Sequence, residues 1–242
     1  MIRWNYLGLC RLPEILELQR RLFLKKHNDG EYDDYLLFAE HYPVFHCEKT
    51  RGLSLRIGVN FADFDALGIP IEYTERGGGM TFHGEGQLVC YIIFDTRRLE
   101  LGPSRLGRMI DQSVSAYLKR FQIHTSPPEL SSNIHGVQGV WVGHKKIASR
   151  GMKIAAERIS TFGFAFNITT DLSFFDYIYP CGLNIRMTSL EKELRHLYGE
   201  SGRYLEPPPL PTAARELAEL IAAFANTEAQ CDERLQIQKA TY

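Results

Sequence analysis

The sequence predicts an α+β fold, and three observations carry that prediction. The continuous apolar run Leu88-Val89-Cys90-Tyr91-Ile92-Ile93-Phe94 has the composition of a strand buried on both faces. Two long segments, Pro13 to Asn28 and Ser104 to about Phe121, repeat apolar residues at helical spacing, as helices packed on a sheet do. Shorter apolar runs bounded by Gly, Pro and Asn supply further strands. At 242 residues, of which 44% are hydrophobic, the chain can build one large core, and a second full domain is not expected.

In chain order, Pro13 to Asn28 sets Ile15, Leu18, Leu22 and Phe23 on one side of a helix. Arg20, Arg21, Lys25 and Lys26 gather late, where cations suit the helix dipole, and Asn28-Asp29-Gly30 ends it. Tyr35 to Ala39 is too brief for a helix and reads as a buried strand, after which Glu40 to Phe45 leaves the sheet. Phe61 to Leu67 forms a helical turn or two ended by Gly68. Ile69 to Thr74 then alternates like a strand entering the glycine-rich stretch Arg76-Gly77-Gly78-Gly79-Met80-Thr81-Phe82-His83-Gly84-Glu85-Gly86-Gln87. Consecutive glycines permit positive φ and let backbone N–H groups approach a ligand, and they serve a hairpin turn equally well. No Lys-Ser/Thr follows, so this is not a Walker-type phosphate loop.

Beyond the central strand, Ser104 caps a helix whose stripe is Leu106, Met109, Ile110, Val114, Tyr117 and Leu118. Gly139 to Val142 and Lys146 to Ser149 form a hairpin over Gly143-His144-Lys145. Period-two alternation there sets Lys146, Ala148 and Arg150 on one face and Ile147 and Ser149 on the other. Phe162 to Ile168 is a further strand, and Asp171 to Phe175 a short capped helix. Thr188-Ser189-Leu190-Glu191 has capping-box spacing and begins a helix through about Leu197. Glu206 to Pro211 is an extended connector. Thr212 caps a last helix with the stripe Leu217, Leu220, Ile221 and Phe224, and the tail from about Thr227 is polar. Residues 1–205 therefore form the main domain, with 206–242 a proline-rich connector and C-terminal helix packed on it or appended to it.

Composition narrows the function. With 28 basic and 29 acidic residues the formal net charge is −1, which points to neither a nucleic-acid partner nor a membrane surface. Five cysteines, Cys10, Cys47, Cys90, Cys181 and Cys231, are odd in number and form no C-x-x-C unit, which fits free thiols in a reducing compartment. The stretch Met1 to Tyr6 has no signal or transit character, and no apolar run is long enough to span a bilayer. A cytoplasmic location is expected. His41, His46 and Cys47 match no standard zinc spacing, so neither a metal nor another cofactor is expected.

Two residues carry a possible chemistry. Cys181 is bracketed by Pro180 and Gly182, and a thiol becomes a useful nucleophile when an ammonium or helix N-terminus lowers its pKa from about 8.5. Lys146 could supply that charge if the strand Phe162 to Ile168 returns the chain. Inside a strand, Lys146 is better held than Lys145 in the turn. The same residues also read as a small buried cysteine and a solvated lysine. His83 could orient a substrate, relay a proton, or satisfy a local backbone group. A thiolate attacking an acyl thioester needs neither ATP nor metal. Backbone N–H groups near Cys181, or in a Ser149-Arg150-Gly151 turn, would hold the oxyanion.

Three blocks, Arg76 to Gln87, Gly143 to Gly151 and Pro180-Cys181-Gly182, resemble the lipoyl(octanoyl) transferases in order and approximate spacing. The likeness extends weakly from about Tyr35 to Leu190. It implies the mixed sheet with flanking helices of the biotin and lipoate protein ligases, with residues 1–205 as the catalytic domain. It further implies octanoyl (or lipoyl) transfer in lipoate biosynthesis from octanoyl-acyl carrier protein, through a thioester on Cys181 assisted by Lys146. The acceptor it implies is a lysine of lipoyl domains in 2-oxoacid dehydrogenase complexes or the glycine cleavage H protein. The substrate pocket it implies uses Arg76, Gly77, Gly78, Gly79, Met80, Thr81, Phe82 and His83, with Ser149, Arg150, Gly151, Gly163, Phe164 and Ala165. The chain departs from the family pattern at His46-Cys47-Glu48, where Thr-x-Gly is common, and at Phe162, where His is common. Those departures bear on acyl selectivity and pocket polarity. Three other activities share parts of this pattern: an amidotransferase between lipoyl-type carriers, an ATP-dependent ligase that would leave Cys181 idle, and a silent carrier- or acyl-binding module.

Overall fold

The computed structural model describes residues 1–49, 58–59, 61–76, 79–126, 138–156, 158–179, 185–199 and 205–237. Gly77, Gly78 and the Pro180-Cys181-Gly182 stretch singled out above lie outside the described residues. The chain opens with β1 (Ile2–Cys10), α1 (Leu12–Asn28) and β2 (Asp34–His41), followed by β3 (Val44–Glu48), α2 (Phe61–Asp65), β4 (Ile71–Thr74) and β5 (Thr81–His83). Next come β6 (Gln87–Ile93), α3 (Pro103–Lys119), β7 (Gly139–Val142), β8 (Lys145–Ala155) and β9 (Ile159–Asn167). A 3-10 segment (Leu172–Tyr177) then precedes α4 (Leu190–Tyr198), α5 (Leu210–Phe224) and β10 (Ala229–Cys231).

Among the described residues a seven-stranded sheet runs in the order β10-β1-β2-β6-β9-β8-β7, and a three-stranded sheet in the order β4-β3-β5. Strands β10, β1 and β2 are parallel, and the pairs from β2 through to β7 are antiparallel, which makes the large sheet mixed. The parallel β1–β2 pair needs a crossover, and α1 supplies it. β6 occupies the middle and is buried on both faces. Leu88, Cys90 and Ile92 join α3, α4 and α5 in one cluster, while Val89, Tyr91 and Ile93 join α1 in another. This two-sided burial explains why β6 reads as an unbroken apolar run. The small sheet and the 3-10 segment close a third cluster around Phe45, Phe82 and Phe175. The expected α+β fold of a mixed sheet with flanking helices is the fold observed. No helix among the described residues is long and apolar enough to cross a membrane.

Several local expectations are corrected. The β7–β8 connection is Gly143-His144, because Lys145 already pairs with Val142. Period-two alternation fails within β8. Val140 faces Ala148 while Trp141 faces Lys146, so Ile147 is an extra, bulged residue, and Ile147 and Ala148 both enter the α3 cluster. Ser149-Arg150-Gly151 is no turn but mid-strand, paired with Ala165, Phe164 and Gly163.

The caps shift as well. α3 is capped at Gly102 rather than Ser104, and α4 at Ser189, whose hydroxyl accepts from Lys192 N–H at 3.2 Å. α5 begins at Leu210, before Thr212, because Pro at the first helical turn forfeits no hydrogen bond. Its buried stripe is Ala213, Ala214, Leu217, Ala218 and Ile221, and Phe224 is exposed. Segments without an expected strand, Ile2 to Cys10, Thr81 to His83 and Ala229 to Cys231, form β1, β5 and β10. The chain that leaves the large sheet at Pro43 enters the small one as β3.

Because Leu217 is fully buried in the same cluster as β1 and β6, Leu217→Ala should destabilise the whole chain by about 2–5 kcal/mol. Urea unfolding monitored by tryptophan fluorescence measures this. A loss below about 0.5 kcal/mol would mean that α5 is appended to the core rather than part of it.

Candidate active site

Two sequence blocks meet as cross-strand neighbours to form the floor of a cavity. Across β6, β9 and β8, Val89 lies beside Ala165 and Ala165 beside Ser149; one pleat on, Tyr91 lies beside Gly163 and Gly163 beside Gly151. Four of these six residues are glycine, alanine or serine, and the space they leave is a cavity of about 50 Å³. Gly163 is required by contact, since a Cβ there would stand 2.1 Å from the Cys90 carbonyl oxygen. The small sheet and the segment before it supply the facing wall, with His46, Arg76, Met80, Thr81 and His83, and Phe162 closes one side.

Of the residues expected in a pocket, Arg76, Met80, Thr81, His83, Ser149, Arg150, Gly151, Gly163, Phe164 and Ala165 therefore border one cavity. The side chains of two of these lie on the α3 face of the sheet. Arg150 makes paired bonds of 3.1 Å to Asp111 on α3, and Phe164 is core. Gly79 stands outside the wall, its carbonyl accepting from Arg76 Nη2 at 2.7 Å. Phe82 also stands outside, packed between Phe45 and Phe174. Val89 and Tyr91 were missed, hidden in an apolar run, although a tyrosine in an otherwise aliphatic strand marks a place where a hydroxyl needs a partner.

The cavity wall continues into a buried hydrogen-bond chain. Gln87 Nε2 donates to Asn167 Oδ1 at 2.9 Å and to the Phe82 carbonyl at 3.3 Å, so Gln87 Oε1 is the acceptor for His83 Nδ1–H at 2.6 Å. His83 Nε2 then accepts from His46 Nδ1–H at 3.3 Å, and His46 Nε2 accepts from the Thr74 hydroxyl at 2.6 Å. At the far end Asn167 Nδ2 donates to the Thr188 carbonyl at 3.0 Å, and Thr188 N–H donates to the Lys146 carbonyl at 2.9 Å. Apart from the Gln87 bond back to Phe82, the donors point from the small sheet to Lys146, and the assigned tautomers satisfy each partner. His41 stands beside this chain. It donates from Nδ1 to the Cys10 carbonyl at 3.1 Å and accepts from the Tyr91 hydroxyl at 2.8 Å.

Lys146 is buried, with its ammonium 5.6 Å from the Trp141 ring centroid, and it does not border the cavity. Gly139, at φ +140°, is required by the β7–β8 contact, since a Cβ there would stand 2.0 Å from the Ala148 carbonyl oxygen and 2.9 Å from Lys146 Cε. The Lys146 main chain donates to Arg186 O at 2.9 Å, and with the Thr188 bond this forms a parallel bridge to Met187. The chain thus returns to Lys146 a few residues after Cys181. Three of the four described cysteines have raised thiols. Burial pushes Cys10 up to about 12 and Cys90 well above the ordinary range, and burial with nearby Glu233 raises Cys231. Cys47 is buried, its thiol 3.6 Å from the Glu48 carbonyl. Cys10 lies 3.6 Å from His41, but the His41 Nδ1 proton is engaged by the Cys10 carbonyl. Among the described residues no group of His, Cys, Asp and Glu could hold a metal ion.

Burial depresses His41 to about 4 and His83 to about 3, and burial followed by the nearby Arg76 charge holds His46 well below its ordinary value. The folded protein keeps these rings neutral, whereas the unfolded chain takes up a proton on each below pH 6.5. Stability should therefore be intact above pH 6.5 and fall as the pH drops toward 4. The expected loss between pH 7 and pH 5 is about 2 kcal/mol per histidine, and His41→Gln should remove about that much of it. Urea unfolding across this range is the check, and a flat profile would contradict the neutral assignment.

Comparison with known proteins follows the same outline. Residues 13–200 match the family described as lipoyl protein ligase A/B catalytic domain. An octanoyltransferase of Chloroflexus aggregans is 35% identical over 225 residues, covering 90% of this chain and 93% of that protein. An octanoyltransferase of Rubrobacter xylanophilus is 36% identical over 193 residues, covering 77% and 81%. Among solved structures, lipoate-protein ligase A with bound ATP aligns with a TM-score of 0.70 over 98% of this chain and 89% of that one, at 13% identity. A bipartite lipoate protein ligase of Thermoplasma acidophilum, described with its E2 lipoyl domain, aligns at 0.62 over 98% and 87%, at 15% identity. Likenesses at that identity speak for the fold alone. With the family match spanning most of its length and relatives about a third identical to it, this chain belongs to the lipoyl protein ligase A/B catalytic domain family.

Proposed function

We propose that the chain is an octanoyltransferase of lipoate biosynthesis, moving an octanoyl (or lipoyl) group from acyl carrier protein through Cys181 to a lysine of a lipoyl domain. The observation that carries this reading is the return of the chain to Lys146. The segment Arg186 to Thr188, just beyond Cys181, is hydrogen-bonded to the Lys146 main chain on the strand that also floors the cavity. With the thiols of Cys10, Cys90 and Cys231 raised and Cys47 fully buried, Cys181 is the natural nucleophile. Relatives named octanoyltransferase along most of the chain support the same activity.

In this mechanism Lys146 takes the Cys181 proton and the thiolate attacks the carrier thioester carbonyl. The carbon–sulfur bond to the carrier breaks, and the departing carrier thiolate collects the proton from Lys146. The acceptor amine then attacks the Cys181 thioester, an amide forms, and its surplus proton passes to Lys146 as the Cys181 thiolate is released. Arg150 is tied to Asp111 and Ser149 to Gly151 sit in a ladder, so oxyanion stabilisation falls to main-chain N–H groups around Cys181. The small-residue floor takes the acyl chain, with Arg76 on the wall that faces it, and substrate binding by Gly77, Gly78 and Gly79 belongs to the same proposal. The acceptors are lipoyl domains of 2-oxoacid dehydrogenase complexes or the glycine cleavage H protein, in the cytoplasm. No step calls for a cofactor.

After incubation with octanoyl-acyl carrier protein, mass spectrometry should find one octanoyl adduct, on Cys181, and Cys181→Ser should abolish it without unfolding the chain. Lys146→Arg should slow transfer by at least about 100-fold despite keeping the charge, because a guanidinium cannot act as base. An adduct on another cysteine, unchanged rates for Lys146→Arg, or modification of the acceptor by free octanoate and ATP would overturn the reading.

A further inference from the structure

Phe162 combines three features that nothing in the transfer chemistry requires. Its backbone is left-handed, with φ +59°, a conformation costly for an aromatic residue and kept only where the surroundings impose it. What imposes it is Gln19, a buried polar residue on the apolar side of α1, whose Oε1 accepts the Phe162 N–H at 2.6 Å. That bond takes a strand N–H out of the sheet and turns the residue toward the cavity. Its ring lies 6.0 Å from the His46 ring and closes the side of the cavity next to Gly163.

Phe162 also borders an outer cleft of about 360 Å³, where Phe23, Tyr73 and Ala155 supply apolar surface and Arg20, Lys49, Glu75 and Lys153 supply charge. Among the described residues Phe162 alone borders both spaces. The floor on the cavity side is Gly151 and Gly163, which offer no side chain to stop a ligand. The Phe162 ring therefore stands between a narrow inner space and a roomier outer one, beside the His46 ring bonded to Thr74.

We propose that Phe162, held in place by Gln19, is the partition that limits the length of the acyl chain the site accepts, and so is a specificity-determining residue of this chain. The proposal rests on the acyl-transfer reading of the cavity. A saturated chain laid along the small-residue floor meets the ring at its far end. Without the ring the two spaces join, and a longer chain continues into the outer cleft over Phe23 and Tyr73.

Phe162→Asn and Phe162→Gly test this, because both residues tolerate the left-handed backbone and leave the fold in place. The readout is the ratio of dodecanoyl to octanoyl transfer from the acyl carrier protein, with the ratio of free dodecanoate to free octanoate affinity measured by calorimetry alongside. Both ratios should rise at least about tenfold over wild type, the lower end of what even one methylene is worth in an apolar pocket, and the two probes differ by about four. Gln19→Leu should move both ratios in the same direction by a smaller amount. A rise below about tenfold in the two Phe162 variants would overturn the proposal. If the wild type transfers no acyl group at all, the functional reading fails, and the affinity ratio decides the role of Phe162 by itself.

Discussion

β9 pairs with β8 only from Ala148 onward, which leaves the Lys145 to Ile147 end of β8 without a neighbour on that side. The segment Arg186 to Thr188 fills the gap by donating to and accepting from Lys146. A buried strand end with unpaired main-chain groups would cost about 1–3 kcal/mol per group, so this filling is a folding requirement. The same constraint fixes where the chain after Cys181 must run. It also couples Lys146 to the cavity, because Thr188 is held in turn by Asn167, the last residue of β9.

The polar groups behind the cavity follow the logic of a desolvated interior. Three imidazoles, two amides and a threonine hydroxyl are each matched with a partner, and none carries a charge near neutral pH. A charged ring facing the small-residue floor would be costly to bury and would draw water into the cavity. Arg76 is the exception on that wall, and its charge is met by main-chain acceptors: its Nη2 donates to the His46 and Gly79 carbonyls, tying Gly79 to β3. A neutral network of this kind adds little net stability per bond, but each bond is expensive to leave unmade, so it favours one arrangement of the wall over others.

How much of this was readable in the sequence depends on whether the signal was local. The periodicity of α1 and α3 and the apolar run of β6 report burial directly, and those elements appear within a residue or so of their expected places. β1 went unread because its buried Ile2 and Trp4 are followed by Asn5, whose amide is satisfied only by Leu235 O from the far end of the chain. The bulge at Ile147 breaks simple alternation between Lys146 and Ala148, and no local pattern announces an extra residue. The meeting of Ser149 and Gly151 with Ala165 and Gly163 is a matter of register between strands. The resemblance named both blocks, but only the paired sheet explains why they belong together. His46 and Phe162 stood out merely as departures from a family pattern, whereas the structure places both on the cavity wall.

The account stands or falls on Lys146 acting on the Cys181 sulfur. The most direct measurement is the pH dependence of Cys181 alkylation by iodoacetamide, followed by peptide mass spectrometry, in the wild type and in Lys146→Met. The prediction is a wild-type midpoint in the roughly 3.5–7.5 range of activated thiols, moving up to about 8.5 or beyond in the variant. A midpoint of about 8.5 in both proteins would contradict it.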